Sequence, residues 1–114
     1  MATDLVAVRE RRSRQVRERL VGALDRRLAG TDALVMPTTP IVAPTIAEVA
    51  DPKMFAARNF MLLRNTAIGN FFDLCAISLP LNAALPVGLM LLARNGQDRT
   101  LLRIAAAMEE LFRT

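Results

Sequence analysis

Along the first segment of the chain, apolar residues return every four positions: Val16, Leu20, Leu24 and Leu28 form one stripe, Leu5 and Val8 extend it upstream, and arginines fill the other faces. That spacing predicts an amphipathic helix over 4–29. Thr3 or Asp4 is suited to cap its start, Gly30 to end it in the left-handed conformation, and Gly22 weakens its middle. Residues 32–36 (DALVM) are a short apolar run between a turn and a proline, the pattern of a buried strand. Pro37, Pro40, Pro44 and Pro52 then punctuate an extended loop, too long for a plain connector and suited to lining something. Helical spacing resumes over 54–73, with Phe55, Met61 or Leu62, Ile68 and Phe72 toward a core and Arg58, Asn65 and Asn70 at polar positions. The runs 75–79 (CAISL) and 87–92 (VGLMLL) are almost wholly apolar and read as strands buried on both faces. Asn95-Gly96 marks a turn, and Asp98 is placed to cap a last helix over 99–112, whose Leu101, Ile104, Ala105, Met108, Leu111 and Phe112 share one face. Helix, strand, loop, helix, strand, strand, helix is the order of an α/β layer.

Composition adds that this layer expects a partner. At 114 residues there is room for one small domain, yet 53% of the residues are apolar before the five glycines are counted. Soluble domains usually reach about 45–50% with glycine included. The net charge of +4 is also localised: residues 1–30 hold eight arginines against four acids, and the remainder carries seven charges of each sign. A nucleic-acid reading would use Arg11, Arg12, Arg14, Arg17 and Arg19 on phosphates, but acids interleave the run and there is no Trp or Tyr to stack on bases. A solvated outer helix of a larger enzyme accounts for it, so neither a nucleic acid nor a membrane is expected as partner. The uncharged stretch 74–93 is long enough to span a bilayer, but Pro80 and Pro86 lie inside it and suit strand ends instead. No export signal is evident and there is one cysteine, which points to a reducing cytoplasm.

Absent residues exclude chemistry. Without histidine, no Ser-His-Asp, Cys-His or His-ligated zinc mechanism can be assembled. Cys75 alone forms neither an internal disulfide nor a metal cage, and in its apolar run it reads as a small packed side chain. Ser13, Ser78 and Lys53 are the only serines and lysine, so this chain by itself is a poor candidate for catalysis.

Over nearly its full length the chain resembles the C-terminal part of the amidase-signature hydrolases. The residues that carry this are Asp32-Ala33-Leu34-Val35-Met36-Pro37-Thr38-Thr39-Pro40 with Ala43-Pro44, then Asn65-Thr66 and Asn70, then Cys75-Ala76-Ile77-Ser78-Leu79-Pro80. Leu85-Pro86-Val87-Gly88-Leu89 follows, and Asp98, Leu101-Leu102 and Glu109 complete the set. The resemblance implies an α/β fold, the C-terminal part of a mixed-sheet enzyme, in which 1–30 is an outer Arg-rich helix and 31–114 supply sheet, proline-rich loop and packing helices. It implies hydrolysis of amide carbon–nitrogen bonds without a cofactor, through two serines, one in a cis peptide, and a lysine. Those belong to an upstream Gly/Ser-rich segment that nothing here matches, so no catalytic residue is carried over, and the oxyanion hole built near that segment is missing too.

The same resemblance makes Asn65, Thr66 and Asn70 candidate substrate-pocket residues, while Thr38 and Thr39 are expected to satisfy turn backbone. Asn70 is also expected to hold a buried backbone group, and Ser78 to be structural. Asp73 stands where many members have Gly, Cys75 where many have Pro, and Met90 where Gln is frequent. The usual Gly after Pro80 is absent. Leu63 takes the place of an acid found in the tRNA amidotransferase members. This version looks closer to the branch of allophanate- and biuret-type hydrolases. The implied partner is the rest of an amidase or a homologous chain, with homo-oligomerisation left open and a small amide as substrate only in the full enzyme. A second reading is a stand-alone α/β binding or assembly module that offers its basic helix to an acidic partner.

Overall fold

Three strands form one antiparallel sheet in the order β1-β3-β2, as described for residues 2–113 in a computed structural model of the chain. The elements are α1 (Ala2–Leu28), β1 (Leu34–Pro37), α2 (Pro52–Arg64), α3 (Thr66–Phe71), β2 (Cys75–Leu81), β3 (Val87–Ala93) and α4 (Asp98–Arg113). The longest apolar run, β3, is the central strand. Leu34 and Ala76 flank Leu92 from the two sides, and Val35 and Ile77 flank Leu91. Pro37 and Pro80 lie within β1 and β2, both edge strands, where a missing N–H is tolerated.

One face of the sheet carries the core. Leu79, Leu91 and Ala93 pack with Leu101 and Ala105 of α4, and Ile104, Met108 and Phe112 flank them. Leu111, expected on the same stripe, is 71% exposed. It falls one position off the 101-105-108-112 spacing that follows the sheet. Burial on both faces is realised only for β3, where Met90, Leu91, Leu92 and Ala93 are all buried. β2 alternates instead, and its Ala76, Ser78 and Pro80 stay exposed on the second face. At one end of that face α3 covers Leu92 so closely that a Cβ on Gly69 would lie 3.5 Å from a Leu92 methyl group.

The first helix matches its periodicity, but its stripe does not find a core. Leu28 is buried and Leu24 half-buried, whereas Leu5, Val8, Val16 and Leu20 are exposed. Thr3 and Asp4 lie inside its first turn, and Asp98 likewise opens α4 from within, so none of the three stands outside its helix as expected of a cap. Gly30 is not left-handed; the turn closes through Thr31 N–H donating to Leu28 carbonyl at 2.9 Å. Among the described residues, Asp25 and Arg17 tie α1 to the rest by hydrogen bonds. Asp25 accepts two hydrogen bonds from Arg94, each 2.8 Å, and Arg17 donates to the carbonyls of Phe71 (2.9 Å) and Asn70 (3.3 Å). A cation at the C-terminal end of α3 meets carbonyls that lack helical partners.

The helix expected over 54–73 divides at Asn65. Asp51 caps α2 by accepting from Met54 N–H at 3.1 Å, with Pro52 in the first position. At the other end Asn65 keeps helical dihedrals (φ −75°, ψ −41°) and Ile68 N–H donates to its carbonyl at 3.1 Å, while the Thr66 hydroxyl takes up Leu63 carbonyl, a bond that competes with the regular ladder, and the Asn65 amide donates to Pro37 carbonyl. Phe55, placed toward a core by its spacing, is 56% exposed, and α2 buries no residue. The proline-rich loop is braced internally, since Glu48 accepts from Thr45 N–H at 2.7 Å while its own N–H donates to the Thr45 hydroxyl at 3.2 Å.

The whole is a slab of 61 × 44 × 17 Å with a radius of gyration of 18.0 Å. A compact domain of this length has about 13 Å, so much of the surface that a closed domain would bury stays open. Among the described residues no helix is long and apolar enough to cross a membrane. Asp73 adopts φ +56°, a left-handed position where the resemblance expects Gly, and Gly96 turns at φ +85°. Asp73→Val should therefore lose about 1–2 kcal/mol in urea melts, whereas Asp73→Gly should fold normally.

Candidate functional site

Of the residues expected to form a pocket wall, Asn65 and Thr66 sit at the junction of α2 and α3, and Asn70 lies at the far end of α3. Asn65 is buried, 8% exposed, and its amide reaches Pro37 carbonyl at 2.8 Å, fastening the helix junction to the end of β1. Thr66 is half-buried and donates to Leu63 carbonyl at 3.2 Å, so its hydroxyl keeps acceptor capacity only. Asn70 is exposed, and what holds it is its backbone carbonyl, bound by Arg17. No bond of the Asn70 side chain to a buried backbone group is seen among the described residues; the side chain that holds a distant carbonyl is Asn65, because the end of β1 passes the junction and not the far end of α3.

The potential nucleophiles and base lie on three separate elements. Ser13 is in α1, Lys53 is exposed in the first turn of α2, and Ser78 is in β2. The Ser78 hydroxyl shares a 2.5 Å hydrogen bond with the Thr38 hydroxyl. This bridge crosses the central strand above Gly88, where a Cβ would stand 2.6 Å from both oxygens. Thr38 is thus bound to a strand partner, while Thr39 donates to Ile41 carbonyl at 2.9 Å within the loop, as expected of a turn residue. The Cys75 thiol points at the Ala93 and Arg94 carbonyls, 3.6 and 3.5 Å away, and is half-buried. Gly88, which enters the sequence pattern only as part of the family resemblance, is where the bridge needs a missing side chain, and a glycine inside an apolar strand is itself the signal of such a close approach.

Among the described residues two carboxyls are shifted, one by an ion pair and one by a turn. Arg94 holds the Asp25 carboxyl below its ordinary value of 3.8, chiefly through the hydrogen bonds to it. The Thr45 backbone does the same for Glu48. Because the Asp25 carboxyl is more acidic in the folded chain, its contribution is complete above pH 3.8 and is lost as pH falls through the lower, folded value. The protection of amides 16–28 of α1, taken relative to their intrinsic exchange rates at each pH, is expected to be highest at neutral pH and to fall as Asp25 is protonated. Asp25→Asn should lower that protection at neutral pH and remove its dependence on pH.

Open grooves flank α1 and the proline-rich loop. One of about 500 Å3 runs beside Leu20 and Gly22, one of about 510 Å3 lies between α1 and Phe71, and one of about 310 Å3 is formed by 41–44 with Glu48 and Arg58. The Arg58 Nε is buried without a hydrogen-bond partner.

A sheet with a helix on one face and a hydroxyl bridge on the other is a mixed α/β layer. The chain belongs to the amidase (amidase-signature) family, whose model matches residues 2–102. It is 31% identical to 2-amino-5-chloromuconic acid deaminase of Comamonas testosteroni, over 97% of this chain and 25% of that protein. It is 38% identical to the A subunit of glutamyl-tRNA(Gln) amidotransferase from Pseudothermotoga lettingae, over 87% of this chain and 21% of that protein. The crystal structure of the corresponding protein from Thermotoga maritima superposes with a TM-score of 0.70 at 33% identity, over 84% of this chain and 21% of that one. The chain thus spans a quarter or less of the length of these relatives.

Proposed function

We propose that this chain acts as the C-terminal segment of an amidase, supplying sheet, outer helix and one wall of the substrate pocket, while the catalytic serines and lysine come from the rest of the enzyme. The observation that carries this is the match over residues 2–102 to a family whose members compared above are at least four times as long. The scatter of Ser13, Lys53 and Ser78 over three elements supports it, as does the exposed second face of the sheet at Ala76 and Ser78. A surface of that kind is what an adjoining layer covers.

In this reading the α2–α3 junction faces the amide. Thr66, with its proton committed to Leu63 carbonyl, accepts from a substrate N–H; Asn70, at the exposed end of α3, offers its amide; Asn65 anchors the junction to Pro37. The substrate is a small amide. Leu63 in place of an acid favours one without an amino group to be held by a carboxylate.

The test is made in a complete enzyme carrying this segment. Thr66→Val is expected to change turnover or substrate preference by a few-fold to about tenfold while the melting temperature barely moves. Asn65→Ala should cost about 0.5–1.5 kcal/mol of stability, since the bond from this buried amide to Pro37 carbonyl is lost. A Thr66→Val enzyme with unchanged kinetics on several amides and a lowered melting temperature would make the junction core support alone.

A further inference from the structure

We propose that the groove between α1 and the end of α3 is an anion site for a phosphate group carried by a small molecule. Its lining is Arg9, Arg12, Ser13, Val16, Arg17 and Phe71, about 510 Å3 in all. Positions 9, 12, 13 and 16 follow the i, i+3, i+4, i+7 spacing, so α1 presents them on one face. The groove is lined by guanidiniums, a hydroxyl and two apolar side chains; Glu10, seven positions before Arg17, stands beside this face without lining the groove, and Glu18 does not line it either.

Arg17 makes this more than a row of mobile surface arginines. Its Nε and Nη2 donate to the Phe71 and Asn70 carbonyls at 2.9 and 3.3 Å, and its guanidinium lies 5.9 Å from the Phe71 ring centre. These contacts fix the planar fork at the edge of the groove and leave further N–H donors free. The Arg9 and Arg12 guanidiniums and the Ser13 hydroxyl then supply charge-assisted bonds to a dianion, and Val16 with the half-open Phe71 ring offers an apolar wall to whatever the phosphate is attached to. The basic excess of the chain, confined to residues 1–30, thereby acquires a specific place to act. This site does not depend on the pocket wall assigned to Thr66.

The experiment is a titration of the 15N-labelled 114-residue chain with inorganic phosphate and with phenyl phosphate at constant ionic strength. The expected result is saturable shifts confined to amides at 9, 12, 13, 17 and 71, with phenyl phosphate binding more tightly than inorganic phosphate. Arg12→Gln should weaken both by about fivefold to tenfold, and Arg11→Gln, on the opposite side of α1, should leave them unchanged. Acetate producing the same shifts at the same concentrations would overturn the proposal. So would shifts spread over all the arginines of α1, or saturation only by an oligonucleotide, which would assign the helix to a polyanion. Arg12→Gln and Arg11→Gln change exposed residues and are checked by unchanged far-ultraviolet circular dichroism.

Discussion

Leu91→Ala is expected to cost about 2–5 kcal/mol and to leave the chain largely unfolded at room temperature. Leu91 is fully buried in the central strand, paired with Val35 on one side and Ile77 on the other and packed against α4 through Leu101 and Ala105. Removing its branched end opens a cavity where three elements meet. Few other buried side chains exist to compensate, because the slab keeps Leu5, Val8, Val16 and Leu20 outside any core. Urea denaturation followed by circular dichroism gives the comparison, with Leu102→Ala as the control. Leu102 is 58% exposed and should change stability by no more than about 0.5 kcal/mol.

Gly88→Ala is the second large effect, about 1–3 kcal/mol. The new methyl group would stand 2.6 Å from both the Ser78 and Thr38 oxygens and 3.2 Å from the Thr38 Cβ. Thr38 is β-branched and rotates with difficulty, so relief requires breaking the hydroxyl bridge that joins the end of β1 to β2 across β3. The mechanism predicts its own rescue. In a Ser78→Ala, Thr38→Ala background the two oxygens are gone, and Gly88→Ala should then cost clearly less. Equal costs in both backgrounds would mean that the glycine serves some purpose other than the close approach.

What could be read along the chain was the part governed by local pattern. β3, the packing stripe of α4 at Leu101 and Ala105, and the turn at Gly96 all follow from spacing or turn chemistry, and they define the half of the fold with a core. The break at Asn65 is slight, since Asn65 keeps helical dihedrals, and what was not legible is the bond of its amide to Pro37, 28 positions away. The apolar stripe of α1 was legible as a stripe but not as an exposed one: periodicity says which residues share a face and nothing about what lies opposite. The same holds for β2, whose unbroken apolar letters suggested burial on both sides while only the α4 face is covered. Among the candidate site residues, the sequence marked Asn65, Thr66 and Asn70 together. Their different surroundings came only with the placement of Pro37, Leu63 and Arg17 around them.

The assignment of scaffold without catalyst is tested most directly by amide hydrolysis on the purified 114-residue chain, measured as ammonia release from simple aliphatic and aromatic amides. No release above buffer is expected, because Ser13, Ser78 and Lys53 sit on separate elements and Ser78 is bound to Thr38. Ammonia release that co-purifies with the chain and disappears on Ser78→Ala would contradict it.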